Sequence, residues 1–166
     1  MKGLTRRTRL GFSLVELVVV IVIIGIIAAM AIPRLSRGSA GAGDSALAGN
    51  LAVLRNAINM YAAEHVNKFP GHDSGNMKNH LIQYSTEGGA VQATRDASHK
   101  FGPYLAAFPP CPVGNPSDPT GVLISATSPP TVDTTNGEGW VYNLSTGEII
   151  ANTNATDQSG KTYKSY

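Results

Sequence analysis

The stretch GFSLVELVVVIVIIGIIAAMAI, residues 11–32, decides the architecture of this chain. Residues 12–32 form an apolar run broken by a single charge, Glu16. As a helix the run is about 31 Å long at ~1.5 Å per residue, which matches the hydrocarbon core of a bilayer. Residues 1–11, MKGLTRRTRLG, are basic and free of acids. Positive charge on the N-terminal side predicts that this end stays in the cytoplasm and the remainder is exported.

Two readings of the segment compete. An ordinary secretory signal would use Ala29-Met30-Ala31, be cut after Ala31, and release a soluble exported binding protein. Three features oppose it. The run exceeds the usual ~7–15 apolar residues of such a signal. Pro33 and a helical pattern beyond it predict a helix that continues. Glu16 sits inside the run, where a carboxylate costs up to ~3 kcal/mol and so needs a partner or a function. No Lys or Arg lies within the run. The nearest cation would be a new α-amine at Phe12, created by cleavage after Gly11. Residues 12 and 16 are one helical turn apart in one chain. Between chains, Glu16 of one subunit can meet the Phe12 amine of its neighbour and set the axial stagger.

Gly11-Phe12-Ser13-Leu14-Val15-Glu16 resembles the processing site of type IV prepilins. The resemblance implies cleavage between Gly11 and Phe12 by a membrane-embedded prepilin peptidase, and methylation of the Phe12 amine by the same enzyme. It implies an assembly role for Glu16 in docking subunits into a filament. Pro33 falls where pilins carry a helix-kinking proline, the twenty-second residue counted from Phe12.

The charge balance agrees with a removable leader. The chain has 13 Lys and Arg against 11 Asp and Glu, and without Lys2, Arg6, Arg7 and Arg9 it keeps 9 against 11, a net of −2. The basic character thus belongs to a targeting segment and argues against a nucleic-acid partner. The single cysteine, Cys111, excludes an intramolecular disulfide and a Cys-based zinc site. Within Pro109-Pro110-Cys111-Pro112 it reads as a small apolar residue in a stiff loop.

Beyond the apolar run, glycines at 38, 41 and 43 predict a bent or frayed stretch. Asp44 or Ser45 is a candidate N-cap for a second helical stretch. Leu47, Leu51, Leu54, Ile58 and Tyr61 then recur at helical spacing, which predicts an amphipathic helix ending near residues 65–67. Its stripe is the expected spine of a C-terminal domain. Residues 77–84 predict a short helix. Residues 121–127 predict a strand, and residues 139–142 and 148–151 a β-hairpin around an Asn…Gly turn. Trp140 is expected to close the core against the long helix. The fold expected is α+β and pilin-like: a long N-terminal helix, its first half membrane-spanning, packed against a small C-terminal antiparallel sheet. The expected divisions are a leader at 1–11, a transmembrane and filament-core helix at 12–32, a kinked and then amphipathic periplasmic helix at 33–67, and a small globular domain at 68–166.

This C-terminal half resembles the major, G-type pseudopilin of type II secretion systems. The residues that carry it are Gly102-Pro103-Tyr104-Leu105, the Pro-rich loop, Gly139-Trp140-Val141-Tyr142-Asn143, and Thr146-Gly147-Glu148-Ile149. Such pseudopilins hold calcium in an aspartate-rich loop, which is not intact in this sequence. Asp133 and Asp157 are the weak candidates for a metal, and solvated turns are the better reading of both. His65, His72, His80 and His99 follow no ligand spacing and read as surface or helix-end residues. No phosphate loop or nucleophile elbow occurs, so no enzyme is expected.

The resemblance implies a homopolymer and a set of partners: a prepilin peptidase, an inner-membrane platform with a cytoplasmic ATPase, minor pseudopilins and a secretin. It implies a single-pass inner-membrane subunit with a periplasmic C-terminal domain. A type IV pilin of a surface fibre, for adhesion, motility or DNA uptake, is the nearest alternative. Many surface pilins close a loop with a disulfide, which this chain cannot form.

Overall fold

The structure, a computed structural model, describes residues 11–73 and 76–166, and for residues 31–40 the backbone alone. The leader up to residue 10 and the expected kink at Pro33 lie outside the described residues. The element order is α1 (Leu14–Glu64), α2 (Met77–Ile82), β1 (Tyr84–Ser85), β2 (Val91–Gln92), β3 (Asp118–Ser125), β4 (Glu138–Asn143), β5 (Ile149–Ala151) and a final 3-10 turn, Tyr163–Ser165. The chain divides into two compact units, Met1–Ser39 and Ala40–Tyr166, and each is described by itself.

In the first unit the apolar run is helical from Leu14. Its large side chains are exposed all round, from 43% at Val18 to 79% at Phe12. A helix that is apolar on every face has no solvent-facing side, so its stable surroundings are lipid or other helices. Among the described residues, no helix is long and apolar enough to cross a membrane. The described side chains of the run end at Met30, whereas the apolar sequence continues to Ile32.

In the second unit α1 supplies the spine. Leu47, Leu51, Leu54, Ile58 and Tyr61, the residues expected at helical spacing, are each 0–1% exposed. They form one core with Met77, Leu81, Phe108, Trp140, Tyr142 and Ile149. Trp140 is fully buried and donates its indole N–H to the Pro109 carbonyl at 3.1 Å, so the expected closure of the core by Trp140 holds. The glycines at 41 and 43 do not fray the helix, and no new N-cap starts at Asp44. Tertiary contact decides both points. A Cβ at Gly43 would lie 3.7 Å from Val113 Cγ1, so the loop around Val113 supports the helix there. Asp44, instead of capping, accepts a hydrogen bond from the Tyr163 hydroxyl at 2.6 Å.

Gly49 is exposed within this helix, and nothing lies within 4 Å of where its Cβ would be. Gly49→Ala should therefore stabilise the subunit by up to ~1 kcal/mol through helix propensity alone. Urea unfolding of the detergent-solubilised chain, with an unchanged slope and a raised midpoint, checks this.

The sheet has the order β3-β4-β5. β4 and β5 form the expected antiparallel hairpin, with Trp140 opposite Ala151 and Tyr142 opposite Ile149. Asn143 builds its turn by accepting the Ser145 and Thr146 N–H groups at 2.8 and 3.1 Å. β3 pairs with β4 in parallel, Val122 opposite Trp140 and Ile124 opposite Tyr142, so the sheet is mixed. The connection from Ser125 to Glu138 is long enough for the crossover that a parallel pair requires. Gly139 permits a tight approach beside it: a Cβ there would lie 2.5 Å from the Pro119 carbonyl oxygen and 2.7 Å from Cys111 Cβ. A second, two-stranded sheet pairs β1 with β2.

The polar tail is not loose. The Tyr163 side chain is 8% exposed and belongs to the core. Arg55 of α1 donates to the Tyr166 carbonyl at 3.0 Å and to the Ile149 carbonyl at 3.3 Å, which ties the tail and β5 to the helix.

Candidate functional site

The residues that carry the N-terminal chemistry lie at the start of α1. Gly11, Phe12 and Ser13 precede the first helical residue, Leu14. Gly11 is exposed, with nothing within 4 Å of the place a Cβ would take. Phe12 is 79% exposed. The Gly11–Phe12 bond therefore sits on open, non-helical chain.

Ser13 and Glu16 form a reciprocal cap. The Val15 N–H donates to Ser13 Oγ at 3.3 Å, and the Ser13 N–H donates to Glu16 Oε2 at 2.9 Å. Leu17 closes the first helical turn with an N–H to the Ser13 carbonyl at 3.2 Å. This is a capping box, in which two orphan donors of a helix start are satisfied by the side chains at N-cap and N3. Ser13 thus has a structural role that a reading of Glu16 as a docking residue alone does not supply. The signal is present in the sequence as Ser-x-x-Glu ahead of an apolar run. One Glu16 oxygen is engaged in the cap, and a carboxylate has two.

A family described as the prokaryotic N-terminal methylation motif matches residues 6–32. The chain carries a prepilin-type signal. That motif implies processing by a prepilin peptidase, a membrane-anchored N-terminus and assembly into a filament, and it defines a structural family rather than an enzyme family. No curated protein and no solved structure matches the chain.

The weak metal candidates fall elsewhere. Asp133 Oδ1 accepts the Thr135 N–H and hydroxyl at 2.9 and 2.5 Å. Asp157 Oδ1 accepts from Ser159 N, Ser159 Oγ and Lys161 N at 2.7, 2.7 and 2.9 Å, and its Oδ2 accepts from the Tyr166 hydroxyl at 2.6 Å. The bonds from Tyr166 and Ser159 hold the Asp157 carboxyl far below the usual carboxylate range. Those from Thr135 lower Asp133 in the same way. Each carboxylate thus organises its own turn. Neither belongs to a cluster of three His, Cys, Asp or Glu ligands among the described residues.

The histidines differ from their expected surface placement. His65 and His80 are 0% and 1% exposed. They stack on either side of Tyr61, with ring centroids 3.7 and 5.2 Å away. His65 continues the buried stripe one helical step beyond Tyr61, and His80 follows Met77 by three residues on α2. Both positions are visible in the sequence as apolar-face positions, but residue polarity argues the other way. Burial lowers the proton affinity of His80, and nearby Asp73 pulls against it. Cys111 is buried, as expected, and burial raises its thiol pKa.

Proposed function

We propose that the chain is the structural subunit of a type II secretion pseudopilus. In this reading it is cut after Gly11, methylated at Phe12, held in the inner membrane by residues 12–32, and polymerised through that helix to drive export of folded proteins. The observation that carries the reading is the methylation motif at residues 6–32, with the scissile bond exposed directly ahead of a capped apolar helix. The all-round exposure of that helix supports its burial against lipid first and neighbouring helices afterwards. The choice of a pseudopilus rests on the G-type sequence resemblance and on the lone Cys111. Leader 1–11, helix 12–32, helix 33–67 and the globular part 68–166 are the working divisions. Minor pseudopilins, the platform, the ATPase and the secretin are the proposed partners.

Glu16 has two tasks in this reading. It completes the cap of its own helix, and its other carboxylate oxygen pairs with the Phe12 amine of the subunit being joined. The two groups lie about one helical turn apart along each chain, so pairing them between subunits offsets the helices axially and converts charge pairing into register.

Intact-mass and N-terminal peptide mapping of the protein from membranes tests the reading. The expected terminus is N-methyl-Phe12. A terminus at Ile32 would mean a released soluble protein and would end the filament proposal. Gene deletion separates the two machines: loss of secreted enzymes supports the pseudopilus, and loss of surface fibres supports a type IV pilin.

A further inference from the structure

We propose that His72, Asp73 and His80 form a site for one divalent transition cation of the zinc class. His72 and Asp73 lie on the turn after α1, and His80 lies on α2. The ligand atoms of all three are within 4.8 Å of one another. His80 Nε2 and Asp73 Oδ1 are 3.1 Å apart. Around a tetrahedral cation with bonds of ~2.0–2.2 Å, neighbouring ligand atoms are roughly 3.4 Å apart. The set closes on a cation with a shift of at most roughly 1.4 Å between any two ligand atoms. Two imidazoles and a carboxylate suit zinc-like cations rather than calcium or magnesium.

The tautomers sharpen the case. His72 Nδ1 faces the Phe69 carbonyl oxygen at 3.2 Å. A carbonyl only accepts, so Nδ1 carries the proton and Nε2 presents a lone pair. That Nε2 is buried and has no hydrogen-bond partner. A buried acceptor without a donor is costly, and a cation removes the cost. A ring held by Nδ1–H to a backbone carbonyl, with Nε2 free, is also how metal-binding histidines are oriented. Gly89 keeps space beside the donors: at φ +101, a Cβ there would lie 2.9 Å from His72 Cε1 and 3.1 Å from Asp73 Oδ2. Asp73 is exposed and gives access from solvent.

His80 must change tautomer. The Gly71 N–H donates to His80 Nδ1 at 2.9 Å, so in the cation-free protein the proton sits on Nε2, which faces Asp73. When the cation takes the Nε2 lone pair, that proton leaves to solvent and another returns on Nδ1. The ring stays neutral, and the Gly71 N–H gives up its bond. Loading therefore moves the turn that holds Gly71 and ties it to α2. The site depends on this chain's own donors and not on which filament the subunit builds.

The test uses the mature full chain in detergent, stripped with EDTA and titrated with Co²⁺. The expected result is one Co²⁺ per chain with the intense visible bands of a tetrahedral site, displaced by Zn²⁺, and a shifted Gly71 amide resonance. His72→Ala and Asp73→Asn should each weaken binding at least about tenfold. His99→Ala, at the separate His99–Asp96 pair, should not. Absent visible bands, or binding that survives both His72→Ala and Asp73→Asn, would overturn the site. So would binding lost only in His99→Ala.

Discussion

Glu16→Gln is expected to abolish filament formation while leaving processing and the start of the helix intact. Glutamine completes a capping box as glutamate does, so the bond from the Ser13 N–H is retained. What is lost is the charge proposed to pair with the Phe12 amine of the neighbouring subunit. In a membrane that amine would then be left without its counter-ion. Breaking a buried ion pair from one side costs about 3–5 kcal/mol, which is a hundredfold or more in each docking step. Such a loss repeated at every junction prevents growth. Mass spectrometry should find N-methyl-Phe12 at the normal level, and electron microscopy of an overproducing strain should find no filaments. Glu16→Ala removes the cap as well and should add fraying of the first turn, measurable by amide exchange. Normal filaments from Glu16→Gln would show that the carboxylate serves only the cap.

Trp140→Ala should destabilise the C-terminal unit by about 3–5 kcal/mol, the range for truncating a large aromatic in a core. Trp140 is fully buried on the central strand, opposite Val122 on one side and Ala151 on the other. It belongs to the core built on Leu47, Leu51 and Leu54, so the void would open where helix and sheet meet. Against a total stability of ~5–15 kcal/mol, this loss brings the subunit near its unfolding threshold. Pulse-chase in cells should show a precursor that is made and then degraded, and the purified chain should unfold at a much lower urea concentration. Trp140→Phe keeps most of the apolar contact but leaves the Pro109 carbonyl without its donor, and should cost about 1–2 kcal/mol. Equal losses from both variants would mean that the hydrogen bond, rather than packing, secures this corner.

Features that depend on neighbours in sequence are legible without the structure. The prepilin signal is a contiguous hexapeptide. The buried stripe from Leu47 to Tyr61 follows from a period of 3.6 residues, and the β4–β5 hairpin from two apolar runs about a short Asn…Gly turn. The cap at Ser13 and Glu16 is equally local, written in a three-residue spacing. It is hidden behind the stronger question of why a charge sits in an apolar run. β1 and β2 are not legible, since two residues each carry no period.

Other features depend on which distant segments meet, and they emerge with folding. The parallel placement of β3 beside β4 has no local signature, because a crossover leaves both strands reading the same in either direction. Asp44 reads as a cap from its own neighbours, yet it receives Tyr163 from the other end of the chain. Arg55 is exposed on the spine helix, yet its guanidinium holds the tail. The histidines show the contrast most fully. Their spacing in sequence matches no ligand pattern, and polarity places them outside. Folding brings His65 and His80 onto both faces of Tyr61, and His72 with Asp73 beside His80. The processing signal, the spine helix and the hairpin can be read along the chain, because those interactions close within a few residues. The sheet's mixed direction, the anchored tail and the histidine cluster required the fold, because their partners are brought together only by packing on the spine.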